Sequence, residues 1–296
     1  MKPAHLALLL GITLAWGLHF TVIKATVDAM PPLAYVAARM ALVALLLTPF
    51  RTWQPGRMRA VLLAGACFGG LNYACMFYGL KLTTASIAAV VIESYVPIAT
   101  VFSVLFLGER VGLPRVTGMA VALGGVAVIA TGDGDLTGSR NLTLGATLIV
   151  GAATFEAAGA IVVKKLEGIP PLCLLGWFGI VGAVVTGTLS ALFETGQGAP
   201  LDPIDWRVLG ALAYSVLVAS IFAHASYYHL LQRAPVSQLA GSGLMASVFA
   251  VGFGVVLLDE ELTMRFLIGG AMTLLGVAII LMRQTKTKLA DLEPAT

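Results

Sequence analysis

Arg39, Glu93 and Glu156 stand well inside long apolar runs of this sequence, where charge is hardest to accommodate. At the centre of a bilayer a charged side chain costs roughly 2.5–3.5 kcal/mol on insertion scales, so such residues mark a pair or a function. Arg39 follows Pro31 by eight residues and Glu93 follows Ala85 by eight. If both runs are helices entering from the same side, each charge lies about 12 Å deep at 1.5 Å per residue. Equal depth leaves two readings open. In one, Arg39 and Glu93 form a salt bridge inside the bundle. In the other, Arg39 takes a solute carboxylate in its bidentate fork and Glu93 takes an ammonium, the two charges of an amino-acid zwitterion. A pair that opens when solute arrives combines them. Glu156 lies near mid-depth of its own run. A carboxyl there can take a proton from one side and release it to the other, which makes Glu93 and Glu156 the proton-coupling candidates. The alternative is a carboxyl bonded to a neighbour with no part in transport.

Polar and aromatic groups gather around these charges. His19 lies three residues after Trp16, so the two share a helix face. Histidine changes charge most readily near neutral pH, although a lone helical histidine also serves as a bonded packing group. Asn72, Tyr73, Met76 and Phe77 share roughly one face, and so do His224, Tyr227 and Tyr228. Two such faces could stack on an aromatic or cationic solute, or simply fill the core of a bundle. Tyr95 and Trp177 are further candidates. The expected solute-binding set is therefore Trp16, His19, Arg39, Asn72, Tyr73, Phe77, Glu93, Tyr95, Trp177, His224 and Tyr228, with Pro97 as a kink or gate.

Composition says what must hold these residues. Of 296 residues 58% are hydrophobic and only 11% charged, with mean hydropathy +0.93. So few charges do not cover a water-facing surface, and lipid is the solvent that fits. Ten stretches approach the ~20 apolar residues a spanning helix needs: 5–26, 32–50, 60–80, 85–107, 115–131, 144–164, 171–193, 207–231, 236–258 and 266–282. They are continuously apolar rather than alternating, which predicts helices, not a β-barrel. The opening run to Val27 is too long for a signal-peptide core and is read as a retained first helix. Lys24 and Lys164 fall at helix ends and are expected to snorkel to the interface. Trp53 and Trp206 read as interface anchors. Cys67, Cys75 and Cys173 fit neither a disulfide nor a zinc pattern and are assigned to packing. The glycines Gly118, Gly124 and Gly125, and Gly269, Gly270 and Gly276, are assigned to close helix contact within the chain.

With an inside N-terminus, twelve of the 18 Lys and Arg fall on the cytoplasmic side, and Lys24, Lys81, Arg140, Arg207 and Arg265 on the other. This bias puts both termini in the cytoplasm. The halves also match. A shift of 151 lays Gly118 on Gly269, Gly125 on Gly276, Glu109 on Glu260, Ser86 on Ser237, Tyr73 on His224 and Phe77 on Tyr228. A shift near 140 lays Gly11 on Gly151, Lys24 on Lys164 and Pro31-Pro32 on Pro170-Pro171. The expected plan is a first repeat over 1–132, a connecting loop over 133–143, a second repeat over 144–283 and a polar cytoplasmic tail over 284–296. Five helices per half forces the second half into the membrane the other way round, an inverted repeat with its solute site near the midplane.

The run Gly79-Leu80-Lys81-Leu82-Thr83-Thr84-Ala85-Ser86-Ile87-Ala88-Ala89, then Pro97, then Leu105-Phe106-Leu107-Gly108-Glu109-Arg110 resembles the signature of the EamA family of the drug/metabolite transporter superfamily. Trp16-Gly17, Phe20 and Lys24 fit it too. The second half repeats it loosely as Leu231-Gln232-Arg233-Ala234-Pro235-Val236-Ser237 and Leu257-Leu258-Asp259-Glu260-Glu261. Two departures stand out: Val248 where the first half has Pro97, and Glu156 where it has Trp16. The resemblance implies a secondary carrier or exporter of amino acids or other metabolites in a bacterial-type inner membrane, and leaves its substrate open.

Other classes find little support. There is no basic stripe for nucleic acid, no G-x-x-x-x-G-K-[ST] for nucleotide, and no H-E-x-x-H or G-x-S-x-G. No metal or cofactor is expected, and the expected partners are a small-molecule substrate, the lipid bilayer and protons. Monomer and homodimer stay equally open. The readings that remain are an amino-acid or metabolite exporter, a proton-driven exporter of lipophilic cations, and, behind both, a membrane enzyme using His224, His229 and Glu156. An Arg39 facing the solute would repel a cation, which separates the first two.

Overall fold

The computed structural model describes residues 3–27, 30–108, 111–131, 141–166, 168–195, 206–231 and 242–290, and leaves the side chains of 3, 4, 107, 164, 225, 228, 229, 231 and 283–290 undescribed. Glu109, Ser237 and the loop 133–140 lie outside the described residues, as does the side chain of Tyr228. Within them every regular element is helical. We number the helices α1 (Pro3–Val27), α2 (Pro32–Leu46), α3 (Met58–Leu82), α4 (85–107), α5 (Leu113–Ala130), α6 (Leu142–Lys164), α7 (Pro171–Phe193), α8 (206–231), α9 (Ser242–Leu258) and α10 (Met264–Ala290).

Seven of these are long and apolar enough to cross a membrane, and three apolar helices (Pro32–Leu46, Trp206–Phe222 and Ser242–Leu258) are shorter. Ten full-length spans were expected, so α2 is a correction. It ends at Leu46 rather than continuing to 50, and a 3₁₀ turn follows at Thr48–Phe50. Pro49 accounts for the stop, because it has no N–H to extend the α-helical ladder. At the other end of the chain α10 runs on to Ala290, so the expected polar tail begins as helix.

The helices bury stripes and leave apolar side chains outside. In α2 the buried residues are Pro32, Leu33, Tyr35, Val36, Arg39, Met40, Val43 and Ala44, a 3.6-residue stripe with Arg39 at its middle. Leu42, Leu45 and Leu46 point outward, Leu45 being 67% exposed. An apolar exterior around a more polar interior is the pattern of a protein solvated by lipid.

Packing pairs α5 with α10, α2 with α7, α1 with α9, and α6 with α3 and α4. The α5–α10 seam is closed by glycine. A Cβ on Gly118 would lie 2.9 Å from the Gly276 carbonyl oxygen, and one on Gly125 would collide with the Gly269 carbonyl. Gly124 has its nearest neighbour, Met272 Cε, at 3.6 Å and is only an ordinary contact.

One end of the bundle gathers the ends of several helices. Leu33 and Ala34 N–H donate to the Glu194 carboxylate at 2.9 and 3.1 Å, so a residue following α7 caps α2. Ala85 and Ser86 N–H donate to Glu260 at 2.5 and 2.9 Å. Thr143 Oγ1 donates to Ala130 O at 2.9 Å, and Arg265 Nη1 to Thr131 O at 2.9 Å. At the opposite end Arg57 Nη2 reaches Lys165 O at 3.0 Å and Trp177 Nε1 reaches Thr52 O at 3.0 Å.

Three breaks in helical geometry bear on the site. α3 carries a π turn at Ala66–Asn72, and α8 another at Tyr214–Phe222. α4 tightens into a 3₁₀ turn at Ile92–Ser94. Pro97 explains the last: its missing N–H is the one that Glu93 O, four residues earlier, would accept. Pro97 thus kinks α4 at Glu93, while α9, with Val248 in the matching place, is an uninterrupted α-helix.

Candidate functional site

Arg39 is 1% exposed, and its hydrogen-bond partners among the described residues are neutral. Its Nε and Nη2 donate to Ser220 Oγ at 3.2 and 2.9 Å, and Nη2 lies 3.5 Å from Tyr73 Oη. The guanidinium carbon stands 4.7 Å from the Tyr73 ring centre, a cation–π contact. Buried Nη1 meets no acceptor among the described residues. Of the two readings left open, the salt bridge to Glu93 is not formed: Glu93 Oε1 instead accepts from Ser247 Oγ on α9 at 2.7 Å. The two stand about equally far into their helices, but α2 packs on α7, α8 and α3 while α4 packs on α6 and α9, so the two side chains lie in different interhelical spaces. Arg39 therefore holds a permanent charge in a buried place with no counter-ion among the described residues. Without compensation such a charge costs on the order of several kcal/mol.

The π turn of α8 makes this environment. In an α-helix residues five apart point about 140° away from each other. Here the wider turn brings Ser215 and Ser220 together, and Ser220 Oγ donates to Ser215 O at 2.7 Å. Its one proton being spent there, Ser220 Oγ has only lone pairs to offer Arg39. Ser215 Oγ in turn touches His19 Nε2 at 3.0 Å and Tyr35 Oη at 2.7 Å. The freed carbonyl of Ala219 accepts from Trp16 Nε1 at 3.3 Å. His224 Nδ1 lies 3.0 Å from both Ala219 O and Ser220 O, two pure acceptors, so Nδ1 carries the proton. Trp16 packs against His224 and Tyr227 with ring centres 5.5 and 5.4 Å apart. Phe77 joins Tyr35 and Tyr73 at 5.8 and 6.2 Å. Arg39 acts electrostatically on both His19 and His224. Trp16, His19, Arg39, Tyr73, Phe77 and His224 are thus brought into one cluster.

The acids form a second group beside it. Asn72 Nδ2 donates to Ala152 O at 2.9 Å and to Glu156 Oε2 at 3.3 Å. Glu93 is near enough to act electrostatically on Glu156. Ser247 Oγ also lies 2.8 Å from Ala89 O, and with one proton it serves Glu93 or that carbonyl, not both. The adjacent residues Asn72 and Tyr73 link the groups: Asn72 faces Glu156 and Tyr73 faces Arg39.

Some expected residues belong elsewhere. Trp177 sits at the far end of the bundle, against Trp53 at 5.8 Å and Arg51 at 5.4 Å. It lies in the second turn of α7, which places it at that end. Tyr95 is half-buried just after the 3₁₀ turn. Lys24, expected to snorkel, finds partners within the bundle end: Nζ donates to Leu80 O at 3.2 Å and Lys81 O at 3.4 Å. Sequence reasoning missed Tyr35, Ser215, Ser220 and Ser247. Tyr35 was findable, one turn before Arg39 on the same stripe. The serines were not, because their partners depend on the π turn and on which helices become neighbours.

Comparison with known proteins decides the family. The model of the EamA-like transporter family matches twice, over residues 4–131 and 143–282. The chain belongs to the EamA-like transporter family. It is a multi-pass membrane transporter, as the apolar helices require. Among its EamA-type relatives are proteins named probable amino-acid metabolite efflux pump from Escherichia coli K12 and from Salmonella typhimurium LT2. They are 27% and 28% identical over 286 residues, with 94% of each chain covered. A solved structure described only as a protein crystal structure covers 97% of this chain and 100% of its own, with TM-score 0.63 and 17% identity, and so speaks for the fold alone.

Proposed function

We propose that this EamA-type protein exports amino acids or closely related carboxylate-bearing metabolites across a bacterial-type inner membrane by alternating access. The observation that carries the reading is Arg39: a buried guanidinium whose Nη1 meets no acceptor among the described residues. The solute's own carboxylate is the missing counter-ion, taken by Nη1 while Ser220 and Tyr73 hold the rest of the fork. The aromatic groups Trp16, Tyr73, Phe77 and His224 flank it, and Tyr228 follows on the same helix. A lipophilic cation would meet the Arg39 charge, which disfavours the drug-efflux alternative. The names of the bacterial relatives favour the same substrate class.

Alternating access rests on the two halves being an inverted repeat, with both termini inside by the Lys/Arg bias. The family model matches each half once. Gly118 meets Gly276 and Gly125 meets Gly269, and the shift of 151 exchanges these two pairs. That mutual exchange is what a two-fold axis through the α5–α10 seam produces. Each π turn likewise falls in the third helix of its half. The end bearing Glu194 and Glu260 is then the outer face.

Glu93 and Glu156 form the proton relay. Proton arrival at Glu93 lets Ser247 turn to Ala89 O, which couples protonation to the α4–α9 contact. An acidic outside is expected to accelerate export, and Glu156→Gln to remove that acceleration while exchange without a gradient persists. An unchanged response to the gradient would take Glu156 out of the mechanism. The substrate class is tested in liposomes: vesicles loaded with unlabelled amino acids, labelled amino acids outside, and a quaternary ammonium in parallel. Exchange of an amino acid is expected. Exchange of the cation alone moves the function to drug efflux.

A further inference from the structure

We infer that Lys24 and Glu260 form a latch that holds the tip of the α3–α4 hairpin shut at the outer face, and that both are gating residues for transport. The inference rests on the alternating-access reading and orientation above. The tip is short, since only Thr83 and Thr84 separate α3 from α4. On one side α3 ends in carbonyls that lack their i+4 partners, Leu80 O taking only a long bond from Thr83 N–H at 3.3 Å, and on the other α4 begins with amides that lack partners within the helix. The two ends carry opposite partial charges, negative at the C-terminus of α3 and positive at the N-terminus of α4. Each meets a full charge of the opposite sign from another part of the chain. Lys24 of α1 donates to Leu80 O and Lys81 O. Glu260, between α9 and α10, accepts from Ala85 N, Ser86 N and Ser86 Oγ, the last at 2.5 Å.

The Glu260 arm is built rather than incidental. α4 already has a local cap, Thr84 Oγ1 accepting from Ile87 N at 3.2 Å, so Glu260 adds a bond between distant segments. Asp259, just before it, has φ +52°, the only non-glycine residue with positive φ among the described residues. A left-handed turn there is strained, and it aims the next side chain at α4. Gly254 leaves the room: a Cβ on it would lie 2.5 Å from Glu260 Oε2 and 2.6 Å from Ser86 Oγ. The shifts that relate the two halves lay Lys24 on Lys164 and Glu109 on Glu260, so each charge has a match in the opposite half of the sequence.

The hairpin is the part whose movement matters. It carries Asn72, Tyr73 and Glu93, the residues that touch or adjoin Arg39, Glu156 and Ser247. Because both charges grip the two sides of one tight turn, tilting the hairpin outward breaks both sets of bonds together. The π turn of α3 and the 3₁₀ turn at Ile92–Ser94 lie below the tip, one in each arm, and give each a place to bend.

Amide hydrogen exchange on the full-length protein in nanodiscs, without solute, tests this. In Glu260→Gln, residues 83–88 are expected to exchange about tenfold faster, the loss of a helix-end bond of ordinary strength. The decisive readout is the opposite face. Segments 51–58 and 165–171 are expected to exchange more slowly, because opening outside closes inside. Lys24→Met should act in the same direction, and Ser86→Ala, which removes one of three donors, in the same direction but less. Faster exchange confined to 83–88 would make Glu260 a structural cap and overturn the latch, as would faster exchange at both faces. No substrate enters this assay, so a mistaken solute class shows in the liposomes and leaves the exchange result standing.

Discussion

Arg39→Met is expected to melt at or above the wild-type temperature and to lose exchange of carboxylate-bearing solutes by roughly a hundredfold or more. The two halves of this result come from one feature. Arg39 is buried among Ser220, Tyr73 and the α2 stripe with no carboxylate beside it. Replacing a buried charge by an apolar side chain of similar volume is often neutral or stabilising, since the desolvation penalty goes with the charge. Had Arg39 been half of a salt bridge, its loss would have stranded a partner at a cost of about 3–5 kcal/mol. Two hydrogen bonds from a charged donor to the solute contribute about 3 kcal/mol together at the low end, which is roughly a hundredfold in affinity. Arg39→Lys keeps the charge but loses the fork and the contacts to Ser220, so it is expected to recover only part of the exchange. Thermal melting in detergent and counterflow in liposomes check both halves. A methionine variant that melts several degrees lower, with exchange falling only in proportion to folded protein, would return Arg39 to a structural role.

Gly125→Ala is expected to destabilise the protein by about 1–3 kcal/mol, while Gly124→Ala, one residue away, is near neutral. A Cβ on Gly125 would strike the Gly269 carbonyl and lie 2.5 Å from Thr273 Oγ1 and 2.6 Å from Thr273 N. Backbone atoms have no rotamer to escape into, so α10 must move away from α5 along the whole seam. Gly118 and Gly276 then lose contact too, as do Thr273 Oγ1 and Ala122 O, 3.4 Å apart across the seam. On Gly124 the same methyl meets only Met272 Cε at 3.6 Å. For a chain of this size each kcal/mol lowers Tm by roughly 2–4 °C. Melting of the two alanine variants side by side decides it, and equal melting would contradict the glycine seam. Gly276→Ala should behave like Gly125→Ala, because it meets Ala122 N and Gly118 O in the same way.

Much was legible before any coordinates. Continuous apolar runs located the helices, because lipid leaves the backbone no option but to bond within each segment, though α10 runs eight residues past its apolar stretch. Pro97 announced the break at Glu93, since a missing N–H has a local effect. The positions of Arg39 and Glu93 along their helices followed from the constant rise of a helix. Their partners did not. Depth is one coordinate, and contact depends also on which helices are neighbours and how each is rotated. That is why a salt bridge stayed one of two open readings and a Ser220–Tyr73 cradle was found.

The α8 serines make the same point. Ser215 and Ser220 read as faces turned apart when 3.6 residues per turn is assumed, and only the π turn superposes them. Lys24 read as a snorkelling residue because a helix-end lysine has water as its default partner, and only the fold offers it the carbonyls of α3. Glu260 was visible as a repeat match to Glu109, yet nothing local to it says that its carboxylate crosses to α4. The sequence by itself determined the solvent, the helices, their approximate ends and which residues carry charge into the membrane, all of which depend on local composition and backbone chemistry. The tertiary structure alone decided which charge meets which partner and which guanidinium is left without one, because those depend on packing between segments more than a hundred residues apart.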